Sequence, residues 1–421
     1  MIATIQPLVA QYAEIIAILW DQRRLAVAGD VDDLATLAEA DERMAAHIEG
    51  LQVSGAAGWH EALRALQERL EPGEAFVAAV LALDAGDMAG LQDVLAAVAG
   101  TPSAWPGLMS ACGWVAPSCL RGIAGEWLAS PTAMHRRLGL QACLLHRVEP
   151  RQHWDALVED PEPSIRALAL RVAGELGAVH LRDACLARLA QESDAEARPW
   201  AAWSAVMLGD RSDGLHALLA QPVEASMEGP FFDLALQVQD PQQAHAWLKR
   251  LAGQGTGIRT LLRGSGLVGD PAYVPWLLDQ MKDPDNARLA GQSFSLITGA
   301  QLEDAALRGA PAVTGEGPSD DANDPAVAMP VDQQLPWPDV QAVTAWWTAH
   351  RDRLPAGHRL LNGESLTRAH LLSVLDTGRQ RARAMAATAL SLQTCGTPRV
   401  DVEAPAQRQL EVLAGLKARS A

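Results

Sequence analysis

Phenylalanine and tyrosine are nearly missing from this chain, with four and two residues among 421. Strands draw on aromatic and β-branched side chains, so this scarcity, beside abundant alanine and leucine, points to helices. No apolar run approaches the ~18 residues that read as a membrane-spanning helix, and none is expected. The opening MIATIQPLVAQYAEII has neither the basic start nor the small-residue cleavage site of a secretory leader. The five cysteines, Cys112, Cys119, Cys143, Cys185 and Cys395, include no C-x-x-C pair. Free thiols in a reducing compartment are therefore expected, and with them a cytoplasmic protein. Basic residues are also in short supply, 34 against 51 acidic ones, for a net charge of −17. Such a surface repels phosphate backbones, and nucleic acid is not an expected partner.

Local catalytic motifs are lacking as well. There is no G-x-S-x-G elbow, no G-x-x-x-x-G-K-[ST] loop, no H-E-x-x-H and no EF-hand loop. GQGTGIRTLLRGSG, from Gly253 to Gly266, has the glycine density of a phosphate loop but no preceding strand and no Lys-Ser/Thr ending. It reads as a turn between helices. No catalytic residue, metal or cofactor is assigned, and the expectation is a non-enzymatic protein.

What the chain does have is a recurring alanine inside apolar, helix-like runs, at Ala79, Ala111, Ala142, Ala173 and Ala205. The steps are 32, 31, 31 and 32 residues, the length of a helix pair that buries its apolar face only by stacking on copies of itself. The clearest unit, LVEDPEPSIRALALRVAGELG, is matched 32 residues later by LAQESDAEARPWAAWSAVMLG. Three residues beyond the anchors stand Trp114, Leu145, Leu176 and Leu208, and four before them Ala75, Gly107, Ala169 and Ala201, a column that Leu138 interrupts. The expected fold is all-α, an α-solenoid of HEAT-like helix pairs with helical caps at both ends.

The organisation follows from where that period holds. Residues 1–70 read as a helical N-terminal cap, with one stripe of apolar residues from Leu8 to Trp20 and a second helix opening at Asp32 or Asp33. Residues 71–300 read as the repeat array, looser after Gly209. Residues 301–338 contain a Pro-, Gly- and Asp-rich stretch that reads as an insertion or flexible loop, and 339–421 as a C-terminal helical block.

Two groups of residues stand out as candidate partner-binding positions. His135, Arg166 and Arg198 share a register when the anchor alanines are aligned, giving a column of cations at successive helix starts. The column serves either an acidic partner or acidic residues of the preceding turns, such as Glu162 and Asp194, which would lock the repeats together. Trp203 aligns with Arg171 and so falls at a position that is polar in the neighbouring unit, either exposed as an interface anchor or turned into the core. Trp346-Trp347 pose the same alternatives.

A resemblance joins these readings. Asp41, Glu42, Arg43, Ala46, His47, Gly50 and Leu51, followed by Gly73, Glu74, Phe76, Ala78 and Ala79, resemble the opening segments of a family of proteobacterial HEAT-repeat proteins often encoded near type VI secretion genes. The resemblance implies a bacterial adaptor, chaperone or immunity-type protein bound to a secreted effector or its carrier, and it transfers no catalytic residues. Two other expectations remain open: a HEAT-scaffold enzyme or small-ligand protein with a concave site around His135, Arg166 and Trp203, and a structural subunit of a larger complex.

Overall fold

Aspartates and prolines set where the helices begin, and left-handed residues set where many of them end. Asp33 and Asp87 accept hydrogen bonds from the backbone N–H groups of Thr36 and Gly90, and Pro72 and Pro163 open helices in which a missing N–H costs nothing. The computed structural model describes residues 5–221, 229–312 and 332–419. Residues 313–331, which hold most of the Pro-, Gly- and Asp-rich segment, lie outside the described residues.

The chain divides into two units, residues 1–214 with 394–421, and residues 215–393. In the first, the helices are α1 (Gln6–Ala28), α2 (Leu34–Val53), α3 (Ala56–Arg69), α4 (Pro72–Ala85), α5 (Met88–Val98), α6 (Trp105–Trp114), α7 (Ile123–Leu128), α8 (Ala133–His146), α9 (Trp154–Val158), α10 (Pro163–Glu175), α11 (Arg182–Gln191) and α12 (Ala197–Met207). The division falls within α13 (Asp213–Leu219). The fold is an all-α helical repeat array: α4, α6, α8, α10 and α12 pack side by side in sequence order. The central helix α4 is buried from Gly73 to Leu83 on every side, because α1, α3, α5 and α6 all pack against it. All five anchor alanines are buried.

The helix ends reveal the true register. At α4, α8, α10 and α12 the chain leaves through two backbone hydrogen bonds that close the last turn: Asp87 to Ala82, Val148 to Cys143, Ala178 to Ala173 and Asp210 to Ala205, each beside a bond from the preceding residue to the carbonyl three residues back. The left-handed residues are Gly86, Arg147, Gly177 and Gly209. On this frame the equivalents of Ala173 and Ala205 are Cys143 and Ala82, so Ala142 lies one residue and Ala79 three residues out of step. The same shift places Gly139, not Leu138, in the small-residue column, so the apparent interruption disappears.

Small residues in that frame set how closely helices approach. A Cβ at Gly174 of α10 would lie 2.7 Å from the Ser204 hydroxyl. The bare glycine lets α12 come near enough for that hydroxyl to donate to the Leu170 carbonyl at 2.6 Å. The second unit repeats the device. There Ser293 donates to the Leu262 carbonyl at 2.8 Å, across Gly266.

That second unit contains α14 (Pro230–Val238), α15 (Pro241–Gly253), α16 (Ile258–Val268), α17 (Val274–Gln280), α18 (Pro284–Thr298), α19 (Val340–His350), α20 (Arg368–Thr377) and α21 (Gln380–Gln393). Leu262, Phe294, Ile297 and Val343 form the centre of its core. Gly253 closes α15 and α16 opens at Ile258, so only residues 254–257 of the glycine-rich stretch form the expected turn, and Ile258 to Gly266 are helical. The flanks of the Pro/Gly/Asp-rich segment are pinned together: Gly309 donates to the Trp337 carbonyl at 2.7 Å and Asp339 to that of Leu307 at 2.8 Å. Asp332 is held by Arg259 and Arg288 at 3.1 and 3.0 Å. A two-residue hairpin, β1 (Leu360–Leu361) and β2 (Glu364–Ser365), turns at Asn362-Gly363, both with positive φ. Its approach supplies donors to helix ends: Leu360 to Gly269, Asn362 to Leu296 and Gly363 to Ile297. Arg359 donates to the carbonyls of Leu236, Gln237, Gln239 and Val268.

Candidate functional site

Each helix ends with carbonyls that have no partner inside the helix and a partial negative charge. In the first unit a single segment, the strap formed by residues 395–409, meets the ends of α10 and α8. Thr397 rests on Gly177, where a Cβ would lie 2.7 Å from the Thr397 carbonyl oxygen. The Arg399 N–H donates to the Glu175 carbonyl at 2.8 Å. Its guanidinium grips the Glu175 carboxylate through Nε at 2.9 Å and Nη2 at 2.8 Å. Arg147 binds the same carboxylate at 3.1 Å and reaches Asp401 at 3.4 Å. Burial opposes ionisation of Glu175, but Arg399 and Arg147 outweigh it and hold the carboxyl below the usual range. Arg147 thereby gains a structural role in the left-handed conformation that its neighbours in the register give to glycine.

Further along, Arg408 of α22 (Ala406–Ala418) donates to the Leu145 carbonyl at 3.2 Å. Asp41 of α2 accepts the Ala406 N–H at 2.7 Å and pairs with Arg23. Arg23 in turn donates to the carbonyls of Glu403 and Ala404 at 3.1 and 2.9 Å. The strap is therefore fastened at α10, α8, α2 and α1.

Between the α8 and α1 fastenings, strap and helices enclose a cleft of about 300 Å³. One wall comes from Trp20 and Arg24 of α1 and Phe76 of α4, another from Ser110 and Trp114 of α6 and Gln141 of α8, and the strap contributes Glu403 and Arg408. The aromatic rings set one another's positions. Trp20 donates to the Ser110 hydroxyl at 2.7 Å and lies 6.2 Å from Phe76, which meets Trp114 edge-on at 5.6 Å. Arg24 sits 6.0 Å over the Trp20 ring, with an exposed partner in Asp21 at 3.7 Å. Burial lowers the pKa of Arg408, with Asp401 and Glu411 acting in the opposite direction. Hydrogen-bond donors exceed acceptors here, inside a chain that is strongly acidic as a whole.

The residues singled out from the sequence lie elsewhere. Arg166 pairs bidentately with Glu192 of the next repeat, at 2.7 and 3.0 Å, and caps the Asp160 and Pro161 carbonyls. The acid is thus not Glu162 of its own preceding turn. The register equivalent of Arg166 is Arg136, not His135: Arg136 binds Asp160 at 2.7 and 2.9 Å and caps Ser130 and Pro131 in the same way. His135 contacts the Ser130 hydroxyl at 3.2 Å. Arg198 donates to the carbonyls of Leu189 and Glu192. Arg136 and Arg166 thus join consecutive repeats, whereas Arg198 ties α12 to the helix before it. Trp203 is 3% exposed, a core residue packed on Gly174, so of its two alternatives the core one holds and it is no exposed interface anchor. Arg171 lies 5.0 Å over the Trp200 ring, and Trp346 and Trp347 are half-buried. None of His135, Arg166, Arg171, Arg198 and Trp203 lines the cleft.

Sequence reasoning missed Trp20, Arg24 and Arg408 because nothing local marks them. Trp20 and Ser110 are 90 residues apart, and Arg408 and Leu145 are 263 apart. Trp114, standing where Leu176 and Leu208 recur, was the one visible signal. Among the described residues no group of three or more His, Cys, Asp or Glu is placed to hold a metal ion, and no helix is long and apolar enough to cross a membrane. No protein-family model matches the chain, and no curated protein or solved structure resembles it significantly.

Proposed function

We propose that this chain is a protein-binding scaffold without chemistry of its own, and that the cleft between helix ends and strap receives part of its partner. The cleft itself carries the reading. Elsewhere the strap closes helix ends with hydrogen bonds, whereas here it stands across from tryptophan and arginine side chains, the residue types that anchor interfaces. The cleft lining contains no histidine, cysteine or aspartate, and Glu403 is its one acidic residue, which favours binding over acid–base or nucleophilic chemistry. The resemblance to secretion-linked repeat proteins makes a type VI effector or its carrier the partner to test first, with this chain as a cytoplasmic adaptor, chaperone or immunity-type protein.

The test is co-purification of the tagged chain from a proteobacterial host, beside a Trp114→Leu variant that keeps an apolar residue found elsewhere in that column. A stoichiometric partner with the wild type, at least tenfold reduced with the variant at unchanged helicity, is expected. Recovery of the chain alone, or equal recovery with both, contradicts the proposal.

A further inference from the structure

The polar groups of the cleft have more to give than the protein takes from them. Arg408 spends one guanidinium N–H on the Leu145 carbonyl. Arg24 has an exposed 3.7 Å pairing with Asp21, the kind of contact worth only about 0–1 kcal/mol. Gln141 and the Trp114 indole make no hydrogen bond among the described residues, and both line the cavity. Arg23, by contrast, is neutralised by Asp41 and occupied by two strap carbonyls. The cleft therefore offers a surplus of cationic donors beside an apolar wall of Phe76 and Trp114. Such a pairing suits a group that is an anion at one end and apolar at the other.

Resting on the protein-binding reading above, we infer that the cleft recognises the C-terminal residue of a partner polypeptide. Its free carboxylate is held by Arg408 and Arg24, and its apolar side chain lies against Trp114 and Phe76. Glu403 lines the cleft beside them with its carbonyl occupied by Arg23, and burial, with Asp401 nearby, raises the pKa of its carboxyl. An inorganic phosphate would leave the apolar wall unused and is expected to bind more weakly than the acid. The size agrees, because about 300 Å³ is at the lower limit of ligand sites and suits a chain end better than a segment passing through. A guanidinium fork matches a carboxylate in a way an ammonium does not, so lysine is expected to replace Arg408 only in part.

The probes are N-acetyl-L-phenylalanine, its C-terminal amide and inorganic phosphate. They are titrated into the full chain carrying 5-fluorotryptophan, with the Trp114 and Trp20 ¹⁹F signals assigned by substitution. Saturable shifts with the acid are expected, with the amide at least tenfold weaker. Arg408→Gln should bring the acid down to the level of the amide, and Arg408→Lys should restore part of the difference. Arg24→Gln, at an exposed position, gives a second variant should Arg408→Gln disturb the strap, and is expected to weaken the acid several-fold. Equal binding of acid and amide, or phosphate binding tighter than the acid, would overturn the inference. So would an amidated peptide with an internal glutamate that matches a peptide with a free C-terminus. The two proposals fail separately. A partner that co-purifies equally with wild type and Arg408→Gln removes the carboxylate site and leaves the scaffold. Arg408-dependent binding of the acid with no partner in any host extract removes the scaffold and leaves a carboxylate site.

Discussion

Glu175 is 2% exposed and faces two guanidiniums, so Glu175→Gln leaves Arg399 and Arg147 in place with their shared charge removed. Stranding one side of a buried ion pair costs about 3–5 kcal/mol. Arg399 and Arg147 keep 16% and 17% of their side-chain exposure, and water reaching them offsets part of that, leaving about 2–3 kcal/mol. The backbone bond from Arg399 to the Glu175 carbonyl survives, as do the fastenings at Ala406 and Arg408. The loss should therefore appear first as local opening of the strap. It corresponds to a rise of roughly 30- to 150-fold in the opening constant. Hydrogen exchange read by mass spectrometry over 395–409 measures it, with a peptide from the fully buried stretch Gly73–Leu83 of α4 as internal reference. Strap protection should fall by that factor while α4 is unchanged. Unchanged strap protection would refute the role given to the Glu175 cluster. An equal fall in α4 would show that the strap does not open independently.

Other consequences concern the repeats. Arg136→Gln, which leaves Asp160 buried without its guanidinium, is expected to destabilise by about 2–4 kcal/mol, whereas His135→Gln should change the denaturation midpoint little. Ser204→Ala removes a buried hydroxyl bond to the Leu170 carbonyl and should cost about 1–2 kcal/mol in urea titration. Gly174→Ala would force a Cβ to within 2.7 Å of Ser204 and Trp203, an overpacking expected to cost about 1–3 kcal/mol. The Arg166 hydrogen bond holds the Glu192 carboxyl down to about 2 against an ordinary 4.5, with burial acting the other way. A depressed folded-state pKa gives stability that is present above about pH 4.5 and is lost as pH falls towards 2. Glu192→Gln should therefore be less stable than wild type at pH 7, by about 1–3 kcal/mol, and should lose less on acidification from pH 5 to 3. Parallel curves would contradict this.

The repeat was legible because close helix packing writes itself into short-range sequence: small residues four apart, and glycine at the left-handed exit. Where Arg147 replaces glycine at that exit, the punctuation vanished. The alignment slipped by one residue, and His135 was read in place of Arg136. Trp203 was left open between surface and core because its counterpart is Arg171. The reason it is buried lies across the interface, where Gly174 lets α12 approach. The strap was illegible for a different reason. It meets the helices through single backbone groups and arginine side chains, which leave no local pattern in the sequence. Its partners lie 224 and 263 residues away at Glu175 and Leu145. The cleft inherits that difficulty, because its walls are assembled from α1, α4, α6, α8 and a segment near the end of the chain.

Photo-crosslinking from inside the cleft tests the central claim most directly. With p-benzoylphenylalanine in place of Gln141, irradiation of the complex isolated from the native host should join that position to the last residues of the partner, as read by mass spectrometry. Free phenylalanine-type carboxylate should suppress the product. Crosslinks confined to internal segments of the partner, or none from a complex that is otherwise intact, would contradict the account.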